Sequence, residues 1–394
     1  MHLCIITSSY PGSSADSKNA GVFVRDFAHG IAAEGIDVSI LTPAPASTFD
    51  GSVRVRRIPW LGNESSLTHL NPRNPINLVR FASLLASGVR TALRWSNAEH
   101  VDHILAMWAV PSGIIASAVH ARLGVPYSVW ALGSDIWKIR DYPLGTPVLR
   151  RVLRGAERLY ADGMVLAGDV EQIAGRDCSF LATSRILPPS TGPTVPTLPD
   201  GKTNYLCVAR FHRNKGVDVL LNAIALIPEH ERATMRFWIF GGGPEEAALR
   251  DLVRRLRLES QVLLAGYLSA AELASWLDAA DCLIIPSRIE SIPLILSDAA
   301  QSRCPVITTN VGDMGGLVES FHNGLSVPPE APAELARAIV RFRDADARPF
   351  IEGSAALADH LSLDRSIRQI QEDLAMEQAD HESARVPYAE VRHR

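Results

Sequence analysis

The sequence predicts an α/β protein of two parallel-sheet domains facing each other across a cleft. Three observations carry this. Short apolar, β-branched runs alternate with longer segments of helical period, the pattern of strands joined by crossover helices. The rhythm stops once, at a Pro-rich stretch near the middle, and then resumes. The length, 394 residues, suits two domains at roughly 100–200 residues each.

In the first half, strands are expected at 3–7, 37–42, 53–58, 101–106, 127–131 and 163–167. Helical periods lie between them, notably at 22–34, 76–95 and 147–159. From Leu187 to Gly201 five prolines and two glycines fall within fifteen residues, which can continue neither a helix nor a central strand. The second half predicts strands at 205–209, 236–240, 262–265, 282–286, 306–309 and 325–327. Its helices are expected at 217–226, 244–257, 270–279, 294–302 and 331–342. The expected division is a first domain at 1–187, a linker at 188–203 and a second domain at 204–363. Residues 364–394 form a polar helix that could pack back across the boundary, followed by a tail.

Composition excludes several classes of function. The chain carries 39 basic and 43 acidic residues, so it lacks the clustered positive excess of a nucleic-acid binder. Its five cysteines are widely spaced, with no Cys-x-x-Cys pair, which supports neither a zinc knuckle nor a disulfide framework. The longest stretch without Lys, Arg, Asp or Glu runs 19 residues, from His103 to Ala121. It is interrupted by Pro111 and Gly113, so a spanning helix is not expected. The first residues, His2 to Thr7, show no basic leader or cleavage site. A cytoplasmic location follows as the expectation.

Other motifs fail on inspection. Gly201-Lys202-Thr203 has the end of a P-loop, but Pro196 stands where its first Gly is needed. No Gly-x-Gly-x-x-Gly follows the first strand, which argues against a dinucleotide enzyme. Asp344-Ala345-Asp346 could hold a metal–diphosphate, yet it follows a helix in a polar segment and reads better as solvated charge. No His-Glu-x-x-His spacing occurs, so neither a metal nor another cofactor is expected.

Four segments of the second half belong together. Ala209-Arg210 and Lys215-Gly216 place two cations five residues apart between a strand and a helix start, which suits a diphosphate. Phe240-Gly241-Gly242-Gly243-Pro244 is a tight turn from strand to helix. Pro286-Ser287-Arg288-Ile289-Glu290-Ser291-Ile292-Pro293 puts a carboxylate at a strand end, with Asp298 one turn into the next helix. Val306 to Gly312 is a further strand entering a glycine turn. Taken singly, each has a plainer reading as loop charge, cap or turn.

Together these segments resemble the retaining glycosyltransferases of family four, the glycosyl transferases group 1, whose GT-B fold is two facing Rossmann-like domains. The resemblance rests on Ala209-Arg210…Lys215-Gly216, Gly241-Gly242-Gly243-Pro244, Pro286-Ser287…Glu290…Pro293 with Asp298, and Arg303-Cys304-Pro305-Val306. In the first half Asn19-Ala20-Gly21-Val22-Phe23-Val24-Arg25 looks like the family's first loop and helix, and Gly133-Ser134-Asp135 like the end of His-Gly-x-Asp. Leu132 replaces that His, Asp298 the second Glu, and Ser291 the Gly after the first Glu.

The resemblance implies a metal-independent, hexosyltransferase-type retaining enzyme of polysaccharide biosynthesis. It would move a sugar from a nucleotide diphosphate donor to a glycan or lipid-linked glycan. Arg210 and Lys215 would neutralise the diphosphate, with backbone N–H groups of Gly21, Leu294 and Ile295. Glu290 would meet donor-sugar hydroxyls and Asp298 the ribose, with Gly133, Asp135 and Gly242 at the donor. A GT-B-fold nucleotide-sugar epimerase and a silent partner subunit are the alternatives.

The acceptor belongs to the first half. Segment 76–95 is amphipathic with Arg80, Arg90 and Arg94, and could lie on the inner face of a membrane, although packing on the sheet is the commoner use of such a stripe. Trp108, Trp130 and Trp137 are candidates for sugar stacking, against core packing.

Overall fold

In the computed structural model, residues 1–11, 21–43, 49–62, 74–189, 198 and 201–385 are described, with side chains to residue 379. Asn19 and Ala20, most of segment 188–203 and the tail from residue 386 lie outside the described residues.

Two sheets carry the architecture. The first comprises β1 (His2–Ile6), β2 (Asp37–Thr42), β3 (Phe49–Asp50), β4 (Val53–Arg57), β5 (His103–Met107), β6 (Tyr127–Ala131), β7 (Leu159–Ala161) and β8 (Ser179–Phe180), in the order β3-β4-β2-β1-β5-β6-β7-β8. The second comprises β9 (Thr203–Val208), β10 (Met235–Phe240), β11 (Val262–Ala265), β12 (Cys282–Ile285), β13 (Val306–Thr309) and β14 (Gly324–Val327), in the order β11-β10-β9-β12-β13-β14. Every pairing is parallel except the short β3–β4 hairpin.

Strands such as β1, β5, β6 and β12 are buried along their whole length. That is why they read as unbroken apolar runs: helices cover both faces, and each sheet has a core cluster on either side. In each sheet the strand order reverses beside the first strand, since β1 pairs with both β2 and β5, and β9 with both β10 and β12. The loops leaving such switch points open a crevice, which is where ligands bind in open α/β sheets.

One expected strand is a helix. Segment 163–167 lies at the start of the helix Met164–Ala174, and the strand is β7, directly before it. The apolar run misled because Leu166, Ala167, Val170 and Ala174 are buried at helical spacing. The expected helix at 147–159 correspondingly ends at Arg154.

The C-terminal helix Leu363–Arg385 returns to the first sheet and lays Ile367, Ile370 and Leu374 into its core. Tyr160 Oη donates to Asp373 at 2.7 Å, and Arg158 pairs with Asp373 and Glu377 at 3.1 and 3.3 Å.

The seam between the domains combines apolar packing, with Ala182 in a second-domain core cluster and Leu294 against a first-domain one, with polar contacts. Ile186 N donates to Asp26 Oδ2 at 2.9 Å, and Gln301 Nε2 donates to the Arg185 carbonyl at 2.9 Å. The hydroxyls of Ser184 and Ser297 are 2.8 Å apart. Asp313 reaches across to accept the N–H of Val165 at 3.2 Å, at the start of the helix Met164–Ala174.

Candidate functional site

A cavity of about 450 Å³ opens between the two sheets. Its second-domain wall is built from the loops that leave β9, β10 and β12, and from the start of the helix Leu294–Gln301. Arg210, Lys215, Gly241, Glu290, Leu294 and Ile295 all line it.

Two glycines hold the loop of Glu290 in place. Gly216 sits at φ 64, and a Cβ there would lie 1.9 Å from the Pro286 carbonyl oxygen. Gly312 sits at φ 54, and its Cβ would lie 2.2 Å from the Glu290 carbonyl oxygen. Any side chain would force these loops apart. The close approach puts Lys215 Nζ 2.5 Å from Glu290 Oε2. Arg288, from the same loop, bonds both oxygens of Asp218 at 2.7 and 2.8 Å, and so ties the Glu290 loop to the helix Val217–Leu226.

Among the described residues Arg210 has no ion pair, and its side chain is exposed to the cavity. The helix Leu294–Gln301 has no side-chain cap and no acidic residue in its first turn. The N–H groups of Leu294 and Ile295 are therefore open toward the cavity, at the positive end of the helix. Two cations and two N–H groups on one wall have the chemistry that suits an anion.

Several expected residues do other work. Asp298 is fully buried, and Arg185 Nε and Nη2 meet its two oxygens at 2.9 and 2.5 Å. Asp298 is not among the residues that line the cavity, whereas Arg185, which holds it, is. The buried Asp135 accepts the N–H of Ala109 at 2.6 Å and of Leu132 at 3.0 Å. Its oxygens are thus used to hold the backbone beside Trp108 and Leu132, which do line the cavity. Burial raises the Asp135 carboxyl to about 6, while those N–H groups oppose the rise. Gly133 turns the chain into the helix Ser134–Arg140 and packs on Trp137. Gly242 gives its carbonyl to Tyr267 Oη at 2.9 Å, and Gly241 is the lining glycine. Gly21 begins the helix Val22–Ala33 against the backbone of Ser9 and Tyr10, and Phe23 is the residue of that helix in the cavity wall.

Of the three tryptophans only Trp108 lines the cavity. Trp130 donates to the Leu181 carbonyl inside the core, and Trp137 donates to Asp169. Asp344 and Asp346 are exposed and paired with Arg343 and Arg348.

The structure adds residues that the motifs did not show: Asp162, Thr183, Arg185 and Tyr267. Asp162 follows β7 and is 6% exposed, and among the described residues its Oδ1 has no hydrogen-bond partner. Burial pushes its carboxyl well above the usual range; the Ser291 hydroxyl opposes this, and the charges of Asp135, Glu290 and Asp313 add to it. The signal was present as an acid directly after an apolar strand. Placing that strand at 163–167 put Asp162 at its wrong end.

The family model for a glycosyl transferase 4-like domain matches residues 20–177, and the model for glycosyl transferases group 1 matches residues 202–344. The chain belongs to the group 1 glycosyltransferase family. It is 25% identical over 362 residues to TuaC of Bacillus subtilis (strain 168), a protein assigned to teichuronic acid biosynthesis as a glycosyltransferase, covering 87% of this chain and 89% of that one. The D-inositol 3-phosphate glycosyltransferase of Nocardioides sp. is 26% identical over 374 residues, 86% and 80% of the two chains. Among solved structures, sucrose-phosphate synthase of Thermosynechococcus elongatus aligns with a TM-score of 0.76 at 19% identity, covering 96% of this chain and 99% of that one. Anabaena HepE in complex with UDP-glucose aligns with a TM-score of 0.67 at 18% identity, covering 95% and 100%. The two facing Rossmann-like domains of this glycosyltransferase are the GT-B fold.

Proposed function

We propose that this glycosyltransferase is a metal-independent, retaining hexosyltransferase that moves a sugar from a nucleoside diphosphate to a glycan or lipid-linked glycan. The observation that carries the reading is the anion site on the second-domain wall: Arg210, Lys215 and the open N–H groups of Leu294 and Ile295, beside the carboxylate of Glu290.

A donor diphosphate seated there takes over Lys215, and the exposed Arg210 supplies a second cation. These groups match the charge that grows on the leaving phosphate as the glycosidic bond breaks. Glu290, released from its pairing, accepts hydrogen bonds from the sugar's hydroxyls. Transfer with retention proceeds by front-face attack through an oxocarbenium-like state, the donor phosphate taking the acceptor's proton. The acceptor enters over the first-domain wall of Phe23, Trp108 and Leu132.

The named relatives include one assigned to teichuronic acid biosynthesis and a neighbour solved with UDP-glucose. They support polysaccharide biosynthesis as the setting and a uridine nucleotide as the first donor to test. No helix among the described residues is long and apolar enough to cross a membrane; we place the enzyme in the cytoplasm, with peripheral contact through the helix Pro75–Ala98.

Thermal shift with UDP, GDP, UDP-glucose and GDP-mannose, each with and without chelator, tests the reading. Ligand at about 100 times its dissociation constant adds about 2.7 kcal/mol, a rise of several degrees. Stabilisation by one nucleotide series regardless of chelator is expected. A rise that vanishes with chelator overturns metal independence, and no rise with any nucleotide overturns the donor reading.

A further inference from the structure

The first-domain wall of the cavity sets the apolar Phe23, Trp108 and Leu132 beside the polar Asp162, Thr183 and Arg185. Asp162 is the carboxylate in that wall, and it is placed against physical preference. A buried carboxylate oxygen with no donor is costly, because it has lost water and gained nothing in return. Other buried acids of the molecule are satisfied. Asp26 accepts the Ile186 N–H and pairs with Arg25, Asp135 holds two N–H groups, and Asp298 holds both arms of Arg185. Among the described residues Asp162 Oδ1 has no such partner, and only the Ser291 hydroxyl stands beside it to oppose its burial.

The missing partner has to bring a donor. It is not a phosphate, which offers only acceptor oxygens. It is a neutral hydroxyl-bearing group. Its place is fixed by Gly163, the residue after Asp162, whose Cβ would lie 2.4 Å from Ser291 Oγ. Asp162 therefore sits at the seam beside the Glu290–Ser291 loop and Asp313.

We propose that Asp162 binds the donor's sugar, accepting a hydrogen bond from one of its hydroxyls across the ring from Glu290. This rests on the nucleotide-sugar reading above. Asp162 shares this side of the cavity with Thr183 and Arg185, and is the carboxylate among them. It is a determinant of which sugar is accepted.

The test is titration calorimetry of wild type, Asp162→Asn and Asp162→Ala with UDP, UDP-glucose, GDP and GDP-mannose, alongside ligand-free melting. The readout is the ratio of the dissociation constant of the nucleotide sugar to that of its own nucleoside diphosphate. Asp162→Ala is expected to raise that ratio by about tenfold, the loss of one hydrogen bond, and Asp162→Asn by less, because its amide oxygen still accepts. Affinity for the diphosphate alone stays within about threefold, and the ligand-free Tm stays level or rises, because an unpaired buried acid has been removed. An unchanged ratio overturns the proposal, as does an equal loss for sugar nucleotide and diphosphate. A fall in ligand-free Tm with an unchanged ratio shows a structural carboxylate and overturns it too. A wild-type protein that binds none of the four overturns the donor reading itself, and this proposal with it.

Discussion

Lys215 Nζ stands 2.5 Å from Glu290 Oε2, joining the loop after β9 to the loop after β12 in the cavity wall. The pair is self-neutralising while the site is empty, and each partner is assigned to a different part of the donor once it is filled. Both side chains are partly exposed, so the pair contributes roughly 0–1 kcal/mol to stability.

Lys215→Ala and Glu290→Ala should therefore separate folding from function. Each is expected to lower kcat/KM by about 10²–10³-fold, the range for removing one charge-stabilising group. Melting temperatures should stay within a few degrees of wild type. Turnover measured as release of nucleoside diphosphate checks this, and near-normal turnover in both variants sinks the assignment.

Asp298 presents the opposite case. It is fully buried, and Arg185 satisfies both its oxygens. Breaking such a pair on one side costs about 3–5 kcal/mol. At about 2–4 °C per kcal/mol for a domain of this size, Asp298→Ala should lower the Tm by roughly 6 °C or more. Affinity for UDP or GDP, measured well below that temperature, should change only a few-fold. A tenfold loss of affinity at unchanged Tm would instead place Asp298 against the nucleotide.

The fold was legible because the βα alternation is physical: strands covered on both faces must be apolar throughout, as β1, β6 and β12 are. The diphosphate-facing residues were legible because their chemistry is local in sequence, with cations and helix start within a few residues of one another. The first-domain wall was not. Its members Phe23, Trp108, Leu132 and Asp162 come from four separate loops or helices and carry no spacing. The pairing of Asp298 was illegible for a related reason: its partner Arg185 lies 113 residues away, at the end of the first domain.

The underside of the first domain should make stability depend on pH. Burial raises the Glu377 carboxyl to about 7, against the pull of Arg158 and with the push of Glu157 and Asp373; His103 Nδ1 stands 3.2 Å away. A carboxyl raised in the folded chain ionises first in the unfolded one, so folding loses stability as pH climbs from about 4.5 toward 7 and the loss is constant above. Asp135, raised to about 6, acts in the same direction. Glu377→Gln removes one of these contributions. Its stability relative to wild type should become more favourable between pH 5 and pH 8, by on the order of 1–2 kcal/mol after allowance for partial exposure. Parallel Tm curves for the two proteins across that range would show that Glu377 does not carry the effect.

The helix Pro75–Ala98 divides along its length. Leu84, Gly88, Ala92 and Ser96 are buried toward the sheet, whereas Ile76, Leu78 and Val79 at its start are more than half exposed. It contains Arg80, Arg90 and Arg94 and no acidic residue. Exposed apolar side chains beside cations, on a helix otherwise anchored, suit the interface of an anionic bilayer. Each cation adds about 1 kcal/mol near such a surface, and that attraction is screened by salt. Co-sedimentation with vesicles containing phosphatidylglycerol should therefore exceed that with neutral phosphatidylcholine vesicles and weaken as salt is raised. Replacing Ile76, Leu78 and Val79 together by Ser should abolish it with Tm unchanged, because none of the three is in the core. Equal sedimentation with both vesicle types, or none with either, would make this helix a solvent-facing element of the first domain only.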